Sequence, residues 1–331
     1  MQSDYSMLIR SAIAGLLLCC APGPASAQQP AIDEDVARQF AEAAKCLPSE
    51  VTDPQALHIN GSKPFVYKKV GETELRLHVF TPAGRKAGVK SPAVVFFYGG
   101  GFIFGDIRRF QTQATHLALR GVVTVLVDYR VKCRHGSSIL DSIADAKSAM
   151  RWVRGHADEL GVDSSKIAAA GSSAGGHLAA ATALVPGFDD PADEKIDLRP
   201  NALILYNPGL DTGSPASRAR LALLQGKAVA DRGREYSPLE HIERGLPPTI
   251  IFQGTADVLT PIEAAKAFCL RAEALKSQCE VVSYEGAPHG FTEIWIGLED
   301  ASLGVKTEAW AEDTMRRTDE FLTKLGWLPQ Q

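Results

Sequence analysis

The sequence predicts an α/β fold, in which an eight-stranded, mostly parallel sheet carries helices on both faces. Three observations lead there: an early pair of β-like runs joined by a tight turn, a later alternation of apolar runs with helical periodicity, and no repeat or low-complexity tract dividing the 331 residues. The β-like runs are Phe65–Val70, Glu74–Phe80, Ala93–Tyr98, Val122–Asp128, Lys166–Ala170, Ala202–Tyr206, Thr249–Gln253 and Glu280–Tyr284. The first two flank Gly71-Glu72 and read as a hairpin. The later runs are dense in Val, Ile, Leu and Ala, as strands covered on both faces must be.

Helices are expected between them. From Leu140 to Leu160, apolar residues recur every three or four positions, which lays Ile143, Ala146, Met150 and Val153 along one face. A second helix is expected over Pro261–Leu275, with proline in its first turn, and a third over Thr307–Leu325. Two stretches break the alternation. Pro186–Pro200 is polar and rich in Asp and Pro, and residues 209–243, after the sixth strand, are expected to form a small lid, with an ordinary surface excursion as the alternative.

Composition narrows the function. A formal net charge of −4 with 22% charged residues gives no concentrated basic surface for nucleic acid. Residues 1–27 read as a signal peptide: Arg10, an apolar run from Ala12 to Ala21, and a small-residue cleavage pattern at Ala25-Ser26-Ala27. That run is too short to span a bilayer, so a secreted or periplasmic protein without membrane insertion is expected. Cys19 and Cys20 lack the small preceding residue that lipidation would favour. Residues 28–63 are assigned to an N-terminal extension and 64–331 to the catalytic domain. Cys46, Cys133, Cys269 and Cys279 permit three pairings; Cys269 with Cys279, close in sequence, is the expected bridge, and buried free thiols are the alternative. No histidine stands near them at metal-site spacing, so no metal is expected.

The chemistry is carried by three separated motifs. Gly171-Ser172-Ser173-Ala174-Gly175 follows a β-like run and precedes a helical one, the setting in which G-x-S-x-G exposes its central serine on a sharp turn. Ser173 is therefore the candidate nucleophile. A hydroxyl needs a base, and the base needs a carboxylate to hold its tautomer. His289, after the last strand, and Asp257, after the seventh, stand in the chain order Ser, Asp, His. His177, one turn beyond Ser173, is expected to pack within its helix. The third strand runs into Tyr98-Gly-Gly-Gly101, whose backbone can turn amides inward; Gly100, Gly101 and Ala174 are the candidate oxyanion donors. Tyr98, Phe102, Phe291 and Trp295, near these motifs, are candidate substrate-binding residues, with plain core packing as the alternative.

Together, Tyr98-Gly-Gly-Gly, Asp128-Tyr-Arg130, Gly171-Ser-Ser-Ala-Gly175, Gly254-Thr-Ala-Asp257 and His289-Gly-Phe291 resemble the α/β-hydrolase esterases related to hormone-sensitive lipase. The resemblance is closer to secreted acetyl- and feruloyl-ester hydrolases of polysaccharide breakdown and covers residues 65–328. It implies the α/β-hydrolase fold, a cofactor-free serine carboxylesterase, and short-chain acyl esters as substrates, including acetyl or feruloyl groups on plant polysaccharide. Two departures stand out. Tyr98 occupies the place where these esterases usually carry histidine, and Arg130 is followed by Val-Lys-Cys-Arg-His. A prolyl-oligopeptidase-like peptidase would share the triad order, but the extension ahead of the first strand is too short for a propeller. A non-catalytic ligand-binding protein on the same scaffold would be expected to have lost a triad member.

Overall fold

The computed structural model describes residues 45–46, 59–84, 88–292 and 304–330. The signal peptide, most of the extension and Trp295 lie outside the described residues. Eight strands form one sheet: β1 (Lys63–Val70), β2 (Thr73–Phe80), β3 (Ser91–Phe97), β4 (Val123–Val127), β5 (Val162–Ser172), β6 (Ala202–Tyr206), β7 (Thr249–Gly254) and β8 (Cys279–Tyr284). Their order is β1-β2-β4-β3-β5-β6-β7-β8. The hairpin β1–β2 is antiparallel and joins β4 antiparallel, while β4, β3, β5, β6, β7 and β8 run parallel. Every residue of β4, β6 and β7 is buried, which is why these runs lack a polar alternation.

The helices are α1 (Gln111–Leu119), α2 (Lys132–His135), α3 (Ile139–Gly155), α4 (Ala157–Leu160), α5 (Ala174–Leu184), α6 (Pro215–Gln225), α7 (Lys227–Asp231), α8 (Ile262–Ala274) and α9 (Gly304–Lys324). α3 starts at a capping box, in which the Ser138 amide donates to the Asp141 carboxylate at 2.8 Å. It packs on α5 and the sheet, whereas α1 reaches α9 through His116 and Arg120, both on Asp319.

Two boundaries differ most from expectation. β5 begins four residues before Lys166, because Val162 pairs with Ser91 across an irregularity that the polar run Asp163–Lys166 conceals in the sequence. The helix expected over residues 140–160 breaks at His156, which leaves helical geometry with φ of −101° and ψ of 18°, and ends again at Gly161 with φ of 66°. The expected bridge Cys269–Cys279 is formed, and Cys46–Cys133 is a second one.

The Asp-rich stretch after α5 has no regular structure; its carboxylates bind the side of α3. Asp189 meets Lys147 and Arg151, and Asp193 meets Arg151 at 2.9 Å. Deeper, Lys68 of β1 contacts Asp145 at 2.9 Å and Asp190 at 2.7 Å, and Arg130 grips Asp145 through two nitrogens at 2.7 and 2.8 Å. Asp145 is fully buried. Removing it takes one of two carboxylate partners from each of two cations, Lys68 keeping Asp190 and Arg130 keeping Asp141, a loss of up to about 3–5 kcal/mol. Asp145→Ala is therefore expected to lower the urea midpoint sharply, while Glu74→Ala, which breaks surface pairs with Lys69 and Arg76, should barely move it. Equal midpoints for the two variants would contradict this assignment.

Candidate active site

Four loops at the carboxyl ends of parallel strands build the site, as open α/β sheets favour. Ser173 links β5 to α5 with φ of 52° and ψ of −116°, a conformation costly for a residue with a side chain. The turn is held from below by close backbone contact. A Cβ on Gly171 would lie 2.3 Å from the Gly175 carbonyl oxygen, and one on Gly175 only 2.0 Å from that of Phe97. Both positions therefore demand glycine, which accounts for the two outer residues of the motif.

His289, after β8, places Nε2 2.8 Å from Ser173 Oγ and Nδ1 2.8 Å from Asp257 Oδ2. Asp257, after β7, is 5% exposed. Its Oδ1 accepts the amides of Leu259 and Thr260 at 2.9 and 2.8 Å, and its Oδ2 accepts Thr260 Oγ1 and Gln253 Nε2 at 2.8 and 3.0 Å. Burial pushes this carboxyl upward, but hydrogen bonding and attraction from His289, with the Thr260 donors, prevail and hold it below the ordinary carboxylate range. Gln253 and Thr260 are functional residues that sequence reasoning missed. Gln253 ends a buried apolar strand, and a polar side chain there was the available signal.

On the other side of Ser173, Gly100 and Gly101 have φ of 132° and 63°. Among the described residues neither amide is taken by another group, so both remain available as donors. Ala174 opens α5, where the first-turn N–H groups have no carbonyl one turn back within the helix. His177 is buried, its Nδ1 2.9 Å from the Gly209 carbonyl oxygen, and burial lowers it to about 4, so it stays a neutral packing residue as expected.

Three proposed substrate-binding residues are corrected. Tyr98 is 1% exposed and stacks on Tyr129 with ring centroids 4.2 Å apart. Phe291 is 1% exposed and packs between Tyr284 and Trp310. Phe102 is buried edge-on against His177 at 5.5 Å. All three are core residues beneath or beside the site, because the chain turns their rings inward at the strand and loop ends. Phe104, half-buried, is the aromatic of the glycine loop that keeps exposure.

The segment expected as a lid forms α6, α7 and a 3₁₀ turn at Pro238–His241. α6 bridges two loops of the site. Arg220 donates to the Val258 carbonyl at 3.2 Å, beside Asp257, while at its far end Leu224 reaches the glycine loop and Gln225 donates to the Phe102 carbonyl at 3.4 Å.

This arrangement agrees with comparisons to known proteins. A family model described as alpha/beta hydrolase fold matches residues 94–293. Esterase LipC of Mycobacterium tuberculosis is 32% identical over 217 residues, 61% of this chain and 53% of that protein. The isoprenylcysteine alpha-carbonyl methylesterase of Arabidopsis thaliana is 27% identical over 251 residues, 70% of this chain and 57% of that protein. The chain thus spans about half the length of the curated relatives it matches. Among solved structures, the apo form of Thermogutta terrifontis esterase 2 is 39% identical with a TM-score of 0.75, over 85% of this chain and 100% of that one. The same esterase with propionate bound gives 39% and 0.75, over 84% and 100%. With fold, site geometry and these matches in agreement, the chain belongs to the alpha/beta hydrolase fold family.

Proposed function

We propose that this protein is a serine carboxylesterase that hydrolyses short-chain acyl esters through an acyl-enzyme on Ser173. The observation that carries this reading is the unbroken chain of hydrogen bonds from Asp257 through His289 to Ser173, ending on a strained turn beside unpaired amides. Ser173 Oγ attacks the ester carbonyl while His289 Nε2 takes its proton. The oxyanion meets the N–H groups of Gly100, Gly101 and Ala174, fixed before the charge forms. Collapse expels the alcohol, which receives the proton from His289, and water then repeats the attack to release the acid. Asp257 holds the imidazole in the tautomer that presents a bare Nε2 to the serine and stabilises it when it becomes charged.

The acyl preference is supported by the related Thermogutta esterase, which has been solved with propionate and with butyrate bound. Acetyl and feruloyl groups on plant polysaccharide are the proposed natural targets, in line with the sequence resemblance. Secretion or periplasmic export is proposed with it, and two disulfides suit an oxidising compartment.

Purified protein is expected to cleave p-nitrophenyl acetate and butyrate faster than long-chain esters and to release acetate from acetylated xylan. Ser173→Ala should lower kcat by about 10⁴-fold or more. A variant as active as the parent would end the proposal, and a preference for long acyl chains would end its short-chain part. Asp257→Asn should lower kcat by about 10³- to 10⁴-fold. It also has a pH signature. Because the folded-state pKa of Asp257 is depressed, its stabilisation is present above the unfolded value of about 4 and is lost as the pH falls through the folded value. The stability gap between parent and Asp257→Asn, read from urea midpoints, should therefore shrink as the pH falls below about 4. A gap independent of pH would refute the depressed carboxylate.

A further inference from the structure

The glycine loop that carries two of the proposed oxyanion donors is built on the ring of Tyr98. Tyr98 is the first residue beyond β3, and its carbonyl lies directly beneath the nucleophile turn, 2.4 Å from where a Cβ on Gly175 would sit. The chain leaves Tyr98, makes the turn in which the Ile103 and Phe104 amides donate to the Gly100 carbonyl at 3.0 and 3.3 Å, and returns at Gly105 onto the same ring. A Cβ on Gly105 would stand 2.3 Å from two Tyr98 ring atoms. The loop therefore rests on the ring at its return, and any tilt of that ring moves it.

The ring is fixed from two directions. Tyr98 and Tyr129 stack, and each donates its hydroxyl to the other's carbonyl, at 3.1 and 2.6 Å, tying the ends of β3 and β4. The second support comes from α2. Arg134 Nη2 donates to the Tyr98 hydroxyl oxygen at 2.6 Å and to Asp128 Oδ1 at 2.9 Å, and Asp128 Oδ1 lies 3.2 Å from the same hydroxyl. The Arg134 and Asp128 side chains are 6% and 4% exposed, so the contact is dry. α2 also holds the loop from outside: the amides of Lys132 and Cys133 donate to the carbonyls of Phe102 and Ile103 at 3.0 and 2.9 Å. The helix is tethered in turn by the Cys46–Cys133 disulfide.

We infer that Arg134 is a positioning residue of the oxyanion hole, which sets the Gly99–Gly105 loop by clamping the Tyr98 hydroxyl against Asp128. Arg134 touches no substrate; it acts through Tyr98. Burial pushes Asp128 above the ordinary carboxylate range and Arg134 is the largest opposing influence, so without the guanidinium Asp128 becomes a buried carboxyl with no cationic partner. The Tyr98 hydroxyl then loses its cationic donor, and the ring above it is held only by stacking and the carbonyl exchange. Donors aimed at an oxyanion are effective only when preset, and displacement by about 1 Å costs up to about 100-fold in rate. Ground-state binding does not use those amides as strongly, so the loss should fall on kcat.

The inference rests on the esterase reading, and the experiment separates the two. Arg134→Gln, Arg134→Lys and Tyr98→Phe are compared with the parent for kcat and KM on p-nitrophenyl butyrate and for inhibition by a trifluoromethyl ketone, whose hemiketal oxyanion occupies the hole. Arg134→Gln is expected to lower kcat by about 10- to 100-fold with KM within about threefold, and to weaken ketone inhibition by the same factor as kcat. Arg134→Lys, which restores the charge at Tyr98 and Asp128, should recover part of both. Tyr98→Phe keeps the ring and the ion pair and should show a smaller loss of the same kind. If Arg134→Gln fails to fold, Tyr98→Phe decides. Unchanged kcat and ketone affinity in a folded Arg134→Gln, or in Tyr98→Phe where Arg134→Gln is unfolded, overturn the inference while leaving the esterase reading intact. A parent inert to both ester and ketone overturns both.

Discussion

Asp257 keeps a negative charge where water is nearly excluded, and the catalytic geometry depends on how that charge is satisfied. Its two oxygens are met by two backbone amides, a hydroxyl, a side-chain amide and the His289 ring. A buried carboxylate with fewer donors would take a proton, and a neutral acid could not orient and stabilise the imidazole. The ring would then be free to turn, and the 2.8 Å approach of Nε2 to Ser173 would become one conformation among several. The loop Asp257–Pro261 thus does two things at once. It supplies donors to its own first residue, and it sets the Thr260 hydroxyl where its one proton is shared between Asp257 Oδ2 at 2.8 Å and the Asn207 carbonyl, just past β6, at 3.1 Å.

The opposite wall of the site obeys a different constraint, which is steric. Ser173 is held at positive φ because β3, β5 and the first turn of α5 approach so closely that no Cβ fits at Gly171 or Gly175. The strain at one residue is maintained by the packing of three elements, each of which is buried and cooperative with the rest of the core. Electrostatic preorganisation on one side and steric preorganisation on the other meet at the serine hydroxyl.

The sequence revealed all eight strands and the three residues, Ser173, Asp257 and His289, that the structure brings into hydrogen-bond contact, because both leave local signals. Parallel strands are continuous apolar runs, and the nucleophile, acid and base each follow such a run. Residues whose role depends on long-range contact were not legible. Gln253 and Thr260 lie in or near an apolar strand and gain meaning only when Asp257 folds back onto them. Arg134 sits 36 residues from Tyr98, within the Val-Lys-Cys-Arg-His run that stands out only as a departure from the esterase pattern. Tyr98, Phe102 and Phe291 stay open between pocket lining and core packing in the sequence for the converse reason, since nearness to a motif does not say which way a ring points. The β5 extension was hidden because Val162 pairs across polar residues that imitate a turn.

The division of labour along the strands explains how this strain is tolerated. The densest buried ion pairs, Lys68 with Asp145 and Arg130 with Asp145, join the hairpin, the end of β4 and α3, and none of those three side chains hydrogen-bonds to the triad. The Asp-rich stretch after α5 adds Asp189, Asp190 and Asp193 to the same side of α3. Such a network is demanding in geometry, since removing one partner leaves another charge buried, and it therefore fixes α3 against the sheet. α3 in turn packs on α5, the helix whose first turn carries Ala174. The amide of Ala174, a proposed oxyanion donor, is held in place because the body of its helix is clamped from a region remote from the site.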